Sequence, residues 1–306
     1  VVSARRQGAS EVKPCLLALA AGLPAFAAPG APITFNTALP VARGEFIARA
    51  QAISNQSGED PSGAHRDRTA RTLVGVLGYG ATPRLALFGV LPYRDSELSL
   101  DSAGQRVSRK AEGWGDLRLF GRYTLLQRDR PGNNFRLAPF FGLETPTGRD
   151  HADDALGEVP PPVQPGSGSW DPFAGLVATY QTFAYQWDAQ ISYQNNNAAN
   201  GFEAGDLGRL DASLQYRLLP RRMGSGVPDF LYGVIEANLI HQRRNKVGGV
   251  TDPDSGGTRL FLAPGLQYVT RRWILEAAVQ LPVVQDLNGT ALENESITRV
   301  SFRYNF

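Results

Sequence analysis

From Glu45 to Phe306 the chain alternates apolar and polar side chains in one run after another. Period two is the spacing of a β-strand with one apolar and one polar face. Tyr185, Trp187, Ala189, Ile191 and Tyr193 alternate with Gln186, Asp188, Gln190, Ser192 and Gln194. Leu210, Ala212, Leu214, Tyr216 and Leu218 alternate with Arg209, Asp211, Ser213, Gln215 and Arg217. Leu117, Leu119, Gly121, Tyr123 and Leu125 stand against Asp116, Arg118, Phe120, Arg122 and Thr124, and Val300, Phe302, Tyr304 and Phe306 against Arg299, Ser301, Arg303 and Asn305. The pattern predicts twelve strands, at roughly 44–54, 70–79, 85–94, 114–127, 135–145, 172–182, 185–195, 206–218, 229–242, 258–269, 272–283 and 296–306. Most are about ten residues long, against five or six in soluble domains, and ten is what a tilted strand needs to cross a bilayer.

The connections between these strands alternate in length. Those near 80–84, 128–134, 183–184, 219–228 and 270–271 are mostly short; those near 55–69, 95–113, 146–171, 196–205, 243–257 and 284–295 are longer. An even strand count with short turns at one rim and long loops at the other is the layout of an outer-membrane barrel. A soluble β-sandwich shares the alternation but has no reason to sort its loops. Tyr79, Tyr123, Tyr185, Trp187, Tyr216, Tyr268, Trp273 and Tyr304 all fall near the short-turn ends, where rings form an interfacial girdle. The expected fold is therefore all-β, a twelve-stranded antiparallel transmembrane β-barrel of the outer-membrane type over residues 44–306.

Composition removes other classes. The 306 residues carry 31 Lys and Arg against 29 Asp and Glu, a net charge of +2, so there is no basic footprint for nucleic acid. Cys15 is the only cysteine, which excludes disulfide frameworks and cysteine metal sites. At the N-terminus, Arg5, Arg6 and Lys13 precede an apolar run from Cys15 to Leu23 and then Ala25-Phe26-Ala27. That order is the pattern of a secretory signal peptide over residues 1–27, cut after Ala27. Residues 28–43 are expected to be a periplasmic N-terminal segment, too short for a separate plug domain. No nucleotide-binding motif or other energy-coupling device is visible, and no cofactor is expected.

If the apolar face meets lipid, the polar face lines the interior. That places Arg49, Asp116, Arg118, Arg122, Arg136, Glu144, Asp188, Arg209, Asp211, Arg217, Glu236, Arg259, Glu276, Arg299 and Arg303 in the lumen. An arginine facing lipid near the midplane would cost about 2–4 kcal/mol, which forces the assignment. These side chains could set the selectivity of a pore, as charged rings do in channels. Alternatively they pair with one another and plug it; twelve strands lie between a filled barrel and a wide one. Asp188, Asp211 and Glu236 fall on consecutive strands, and Arg118, Arg122 and Arg136 on two others, so the lumen is expected to carry a transverse field. The long segment 146–171, with Pro160-Pro161-Pro162 and Gly166-Ser167-Gly168-Ser169, could fold inward as a constriction or stay on the surface.

Two motifs go beyond architecture: Gly113-Trp114-Gly115-Asp116-Leu117 at the start of the fourth strand and Leu143-Glu144-Thr145-Pro146-Thr147-Gly148 at the end of the fifth. With their spacing they resemble the outer-membrane family called MetA-pathway of phenol degradation, over about residues 70–306. Gly115, Asp116, Pro146, Thr147 and Gly148 carry the match. The resemblance implies an outer-membrane transporter associated with aromatic or other hydrophobic compounds. The same five residues also suit rim bends and a loop start. The last strand, ending in Phe302, Tyr304 and the terminal Phe306, resembles the signal read by the barrel-assembly machinery.

Other chemistries find little support. His65 and His151 fall in loops and His241 at a strand end, none with a serine on the same face, and there is no GxSxG elbow. Asp150-His151-Ala152-Asp153-Asp154 and Asp252-Pro253-Asp254 could meet a hard cation but complete no ligand pattern, so no metal site is expected. The expected function is passive passage of small solutes across an outer membrane, with lipid and solute as partners and no catalysis. The alternative is a non-transporting barrel that acts through its outer loops in binding, adhesion or structure.

Overall fold

The computed structural model of the chain describes residues 30–221 and 228–306. The expected signal peptide, 1–27, and the middle of the connection at 219–228 lie outside the described residues. Twelve strands follow one another: β1 (Phe46–Ser57), β2 (Asp67–Gly80), β3 (Leu85–Ser102), β4 in three stretches (Gln105–Trp114, Arg118–Tyr123 and Leu126–Arg130), β5 (Asn133–Glu144), β6 (Asp171–Thr182), β7 (Tyr185–Gln194), β8 (Leu207–Leu219), β9 (Phe230–Gln242), β10 (Gly257–Val269), β11 (Trp273–Leu287) and β12 (Asn294–Asn305). Each pairs antiparallel with the next, and β1 pairs with β12 from Ile47 opposite Asn305 to Ser57 opposite Asn294, which closes the barrel. Closure leaves no sheet edge, as a sheet surrounded by lipid requires.

Burial is inverted relative to a soluble protein. Asp211, Gln215, Asn238 and Gln267 are 0% exposed, whereas Leu210, Ile235, Leu266 and Phe141 are 51–65% exposed. A β-sandwich would bury the second set and wet the first. The outward apolar belt is continuous with the aromatic positions at the short-turn rim. Phe46 packs on Tyr79 at 4.7 Å and on Phe306 at 5.6 Å, Tyr268 on Trp273 at 5.5 Å, and Trp273 on Phe302 at 6.2 Å. The terminal residue also closes the ladder, because Phe46 and Phe306 exchange both backbone hydrogen bonds.

Most strand limits match the periodicity within a few residues. The main difference lies at 95–113, where the expected loop is a strand hairpin. β3 continues to Ser102, and the first stretch of β4 pairs with it from Tyr93 opposite Trp114 to Ser102 opposite Gln105. Ala103 and Gly104, both at positive φ, make the turn. The hairpin carries the ladder beyond the belt, so its outer face holds charged residues such as Asp95 and Lys110, 3.4 Å apart. Without lipid on that face, the sequence shows no apolar alternation there.

Replacing Leu73, 56% exposed on the outer face of β2, tests the lipid assignment. The variant Leu73→Arg is expected to lose about 2–4 kcal/mol of stability in reversible urea unfolding from lipid vesicles. A loss of about 0–1 kcal/mol would put this face at the membrane surface instead.

Candidate functional site

The short-turn half of the lumen is occupied by the chain's own N-terminal segment. Residues 30–43 do not extend away from the barrel as a periplasmic segment; they enter it. Gly44 donates to the Gly80 carbonyl at the rim, and a Cβ on Gly80 would collide with the Ala42 carbonyl, so the chain turns inward against bare backbone. It rises past Leu39 and Ala38, bends at 33–35 and descends to Gly30, an arch with Ile33 1% and Ala38 0% exposed. The segment is not a separate plug domain but an extended arch, which needs no core of its own.

The arch has no strand partner, and lumenal side chains satisfy its backbone instead. On one wall, Glu236 of β9 accepts from the Ile33 N–H at 2.7 Å, the Thr34 N–H at 3.0 Å and the Thr34 hydroxyl at 2.5 Å. Thr179 of β6 accepts from the Ala38 N–H at 2.8 Å, and Asp188 of β7 accepts from the Thr37 hydroxyl at 3.0 Å. On the other wall, donors reach its carbonyls. Arg49 of β1 donates to Ile33 O at 2.8 Å, Gln51 to the same oxygen at 3.2 Å, and Arg122 of β4 to Leu39 O at 2.7 Å. Gln186 and Gln267 take the Gly30 and Ala31 carbonyls. Around the arch, acceptors thus face its N–H groups and guanidiniums and amides its C=O groups, whereas Arg118 and Arg136 of the expected field pair with Glu144 and Asp129.

The charged positions are held in several further ways. Arg49 and Glu276 pair at 2.6 Å, Arg209 and Asp211 at 2.9 Å, Arg118 and Glu144 at 3.3 Å, and Arg136 with Asp129 at 2.5 Å. Arg217, Arg259 and Arg303 lie on the inward phase of β8, β10 and β12. Arg299 donates to Gln280 at 2.6 Å and to Gln51 at 3.3 Å. Asp116 differs from the rest: it sits in the break of β4, 3% exposed, and accepts from the Gly148 N–H and from the N–H and hydroxyl of Ser167. It is a loop anchor, not a side chain facing the lumen's open space.

The other motif residues belong to the same anchor. Thr147 Oγ1 accepts from the Leu117 N–H at 2.9 Å, and Pro146 lies between it and Thr145, whose N–H and hydroxyl both donate to the Leu117 carbonyl. A Cβ on Gly148 would stand 2.6 Å from the Gly115 carbonyl carbon, so only glycine allows the two backbones to cross. Gly166 passes on the far side of Gly148, 2.9 Å from it by the same measure. Beyond this crossing the segment 149–166 folds inward. Its Ala152, Val159 and Val163 pack on Ala111 and Leu98, on the inner face of the β3–β4 hairpin. Arg68, inward on β2, donates to the Pro162 carbonyl at 2.7 Å. The segment forms a roof over the long-loop mouth. At its exposed tip Glu158 holds the His151 imidazole by a 3.0 Å hydrogen bond, which raises its pKa above the ordinary value.

Several lining residues lie outside the charged set read from the sequence. Gln186, Gln190, Gln215, Gln267 and Gln280 are all at most 6% exposed, and Arg68 and Arg94 lie inward on β2 and β3. Phe88, Phe120, Phe140 and Phe173 form an inward aromatic cluster, with Arg118 4.5 Å above Phe173 and Arg122 4.8 Å above Phe88. Strand phase identifies all of these but Arg68, which falls in the expected connection 55–69 and joins β2 only in the structure.

The sequence signature of the family described as MetA-pathway of phenol degradation matches residues 63–285. The chain belongs to that family. No curated protein matches it. Among solved structures, an outer membrane channel from Pseudomonas putida F1 superposes with a TM-score of 0.66 at 15% identity, over 88% of this chain and 97% of that one. The transport unit of the autotransporter AIDA-I from Escherichia coli gives 0.45 at 12% identity, covering 86% and 90%. The translocator domain of NalP from Neisseria meningitidis gives 0.44 at 13%, covering 86% and 88%. The MetA-pathway chain is an outer-membrane barrel.

The arch depends most on Glu236. In Glu236→Gln the amide nitrogen faces the N–H groups it should accept from, and a buried donor without an acceptor costs about 1–3 kcal/mol. A cysteine placed at Thr34 is expected to react with a water-soluble maleimide at least about tenfold faster in that variant than with Glu236 intact. Equal rates would mean that the arch is held elsewhere.

Proposed function

We propose that this barrel passes small solutes passively across the outer membrane, and that the arch and the roof set what passes. The observation that carries the reading is the manner in which the arch is held. It is held by hydrogen bonds to side chains and by the packing of Ile33 on Val234 and Ala278 and of Ala38 on Phe140, Phe173 and Val177, with no strand pairing. A segment held on side-chain contacts, outside the sheet, can leave while the wall stays closed. Solutes of aromatic or hydrophobic character fit the family description and the lumenal phenylalanines.

The reading involves no catalysis. His65 bonds Asp101, His151 bonds Glu158, and His241, on the outward phase of β9, bonds Thr258; all three are exposed. The side chains facing the lumen act as donors and acceptors for a peptide or a solute.

Planar-bilayer recording of the full chain is expected to give small discrete steps. A form lacking residues 30–41 is expected to give steps several-fold larger, because the strands begin beyond the deletion. Silence from both, with folding shown by heat-modifiable migration on a gel, would overturn the channel and leave the loops as the working surface.

A further inference from the structure

The lipid-facing side of β6 to β9 is not smooth. In the row of outward positions near the long-loop mouth, Ala174, Tyr193, Gly208 and His241 stand opposite one another across the four strands, so small and large residues alternate. Gly208 leaves a gap in that row. A Cβ built on it would find only the His241 carbonyl oxygen, 4.0 Å away. The result is a notch of about 570 Å³ between Tyr193 and His241, walled on the belt side by Ile191, Leu210 and Leu239. These three side chains are exposed, and the belt to which they belong meets lipid.

The lip of the notch is polar. Asp206 and Arg243 continue the β8–β9 ladder one row further out, the Arg243 N–H donating to the Asp206 carbonyl at 2.9 Å. The Asp206 carboxylate accepts from the Tyr193 hydroxyl at 2.7 Å, the Asn196 N–H at 3.0 Å and Arg243 Nη1 at 3.3 Å. Under these three donors it is only 14% exposed, whereas the Arg243 guanidinium side chain is 68% exposed. The charge that this lip turns outward is therefore the cation. Arg244 follows, donating to the Asn288 amide oxygen at 3.5 Å.

Tyrosine with its ring in the belt and its hydroxyl among polar groups marks the membrane interface. A slot that opens there, apolar within and cationic at its lip, has the polarity of an amphiphile reversed. An acyl chain lying in it covers Ile191, Leu210 and Leu239, and its headgroup then falls beside the guanidinium, whose planar fork matches a phosphate. We propose that the notch holds one acyl chain of a lipid whose phosphate headgroup is bound by Arg243. A neutral apolar solute would leave the guanidinium with nothing to bind. The site lies on the outer wall, so the inference does not depend on what the lumen passes.

The test is native mass spectrometry of the full chain in a neutral detergent, titrated with didecanoyl phosphatidic acid or with didecanoyl glycerol, which lacks the phosphate. The chain is expected to retain one phosphatidic acid, and to hold the diacylglycerol at least about tenfold more weakly. Gly208→Leu fills the notch with an apolar side chain that faces lipid, and is expected to weaken phosphatidic acid at least about tenfold; Gly208→Ala, for which the backbone has room, falls between. Arg243→Gln is expected to bring the two lipids to equal affinity, and Arg243→Lys to restore part of the difference. Heat-modifiable migration on a gel shows that each variant is folded. Equal retention of the two lipids by the parent chain would overturn the phosphate contact. Equal phosphatidic acid binding by the parent, Gly208→Ala and Gly208→Leu would overturn the notch. A doubled mass without bound lipid would put a second copy of the chain on this face and overturn the lipid.

Discussion

A peptide held at membrane depth without a strand partner must find a hydrogen-bond partner for each N–H and C=O it carries. That constraint governs the interior of this barrel. The hydrogen bonds of the arch from Gly30 to Leu39 go to side chains, and the charge pattern around it follows. Carboxylates stand where the peptide presents N–H groups, as Glu236 does, and guanidiniums where it presents carbonyls, as Arg49 and Arg122 do. The neutral amides of Gln51, Gln186 and Gln267 fill the places between. Much of the lumenal polarity thus serves the peptide within before it serves anything passing through.

The opposite boundary condition shapes the outer wall. Lipid offers no partner to any polar group, so every other side chain on the belt is apolar while its neighbours in sequence are polar and buried. This makes the chain unusual in hydropathy without making it hydrophobic overall, since 42% of its residues are hydrophobic and 20% charged. The two environments are separated by a single layer of backbone. A one-residue slip in any stave would exchange them, so the register is specified along the whole barrel.

The same boundary explains how much was legible in the sequence. Wherever a strand faced lipid, period two located it, and phase placed Asp188, Asp211, Glu236 and Glu276 inward before any coordinates were needed. The β3–β4 hairpin escaped because its outer face meets water and not lipid, which erases the contrast that periodicity reads. The arch escaped for a different reason: its partners are about 140 to 240 residues away on β6 to β10 for most of its bonds, and a short segment with ordinary composition carries no trace of such contacts. Asp116 shows the limit of phase itself. It continues the alternation of β4 but falls in the break of that strand, where the backbone turns its carboxylate to the loop.

The crossing of Gly115, Gly148 and Gly166 has a consequence for how such a barrel can change. It fastens the two ends of the roof to each other and to the wall, so the stretch between them is mechanically a closed cassette. Residues inside the cassette can lengthen, shorten or be exchanged without moving a stave, because strain stops at the crossing. The crossing is then a hinge plate to which different doors could be fitted. Variety in what the mouth admits can arise, by mutation or by grafting, on a frame that never has to refold differently.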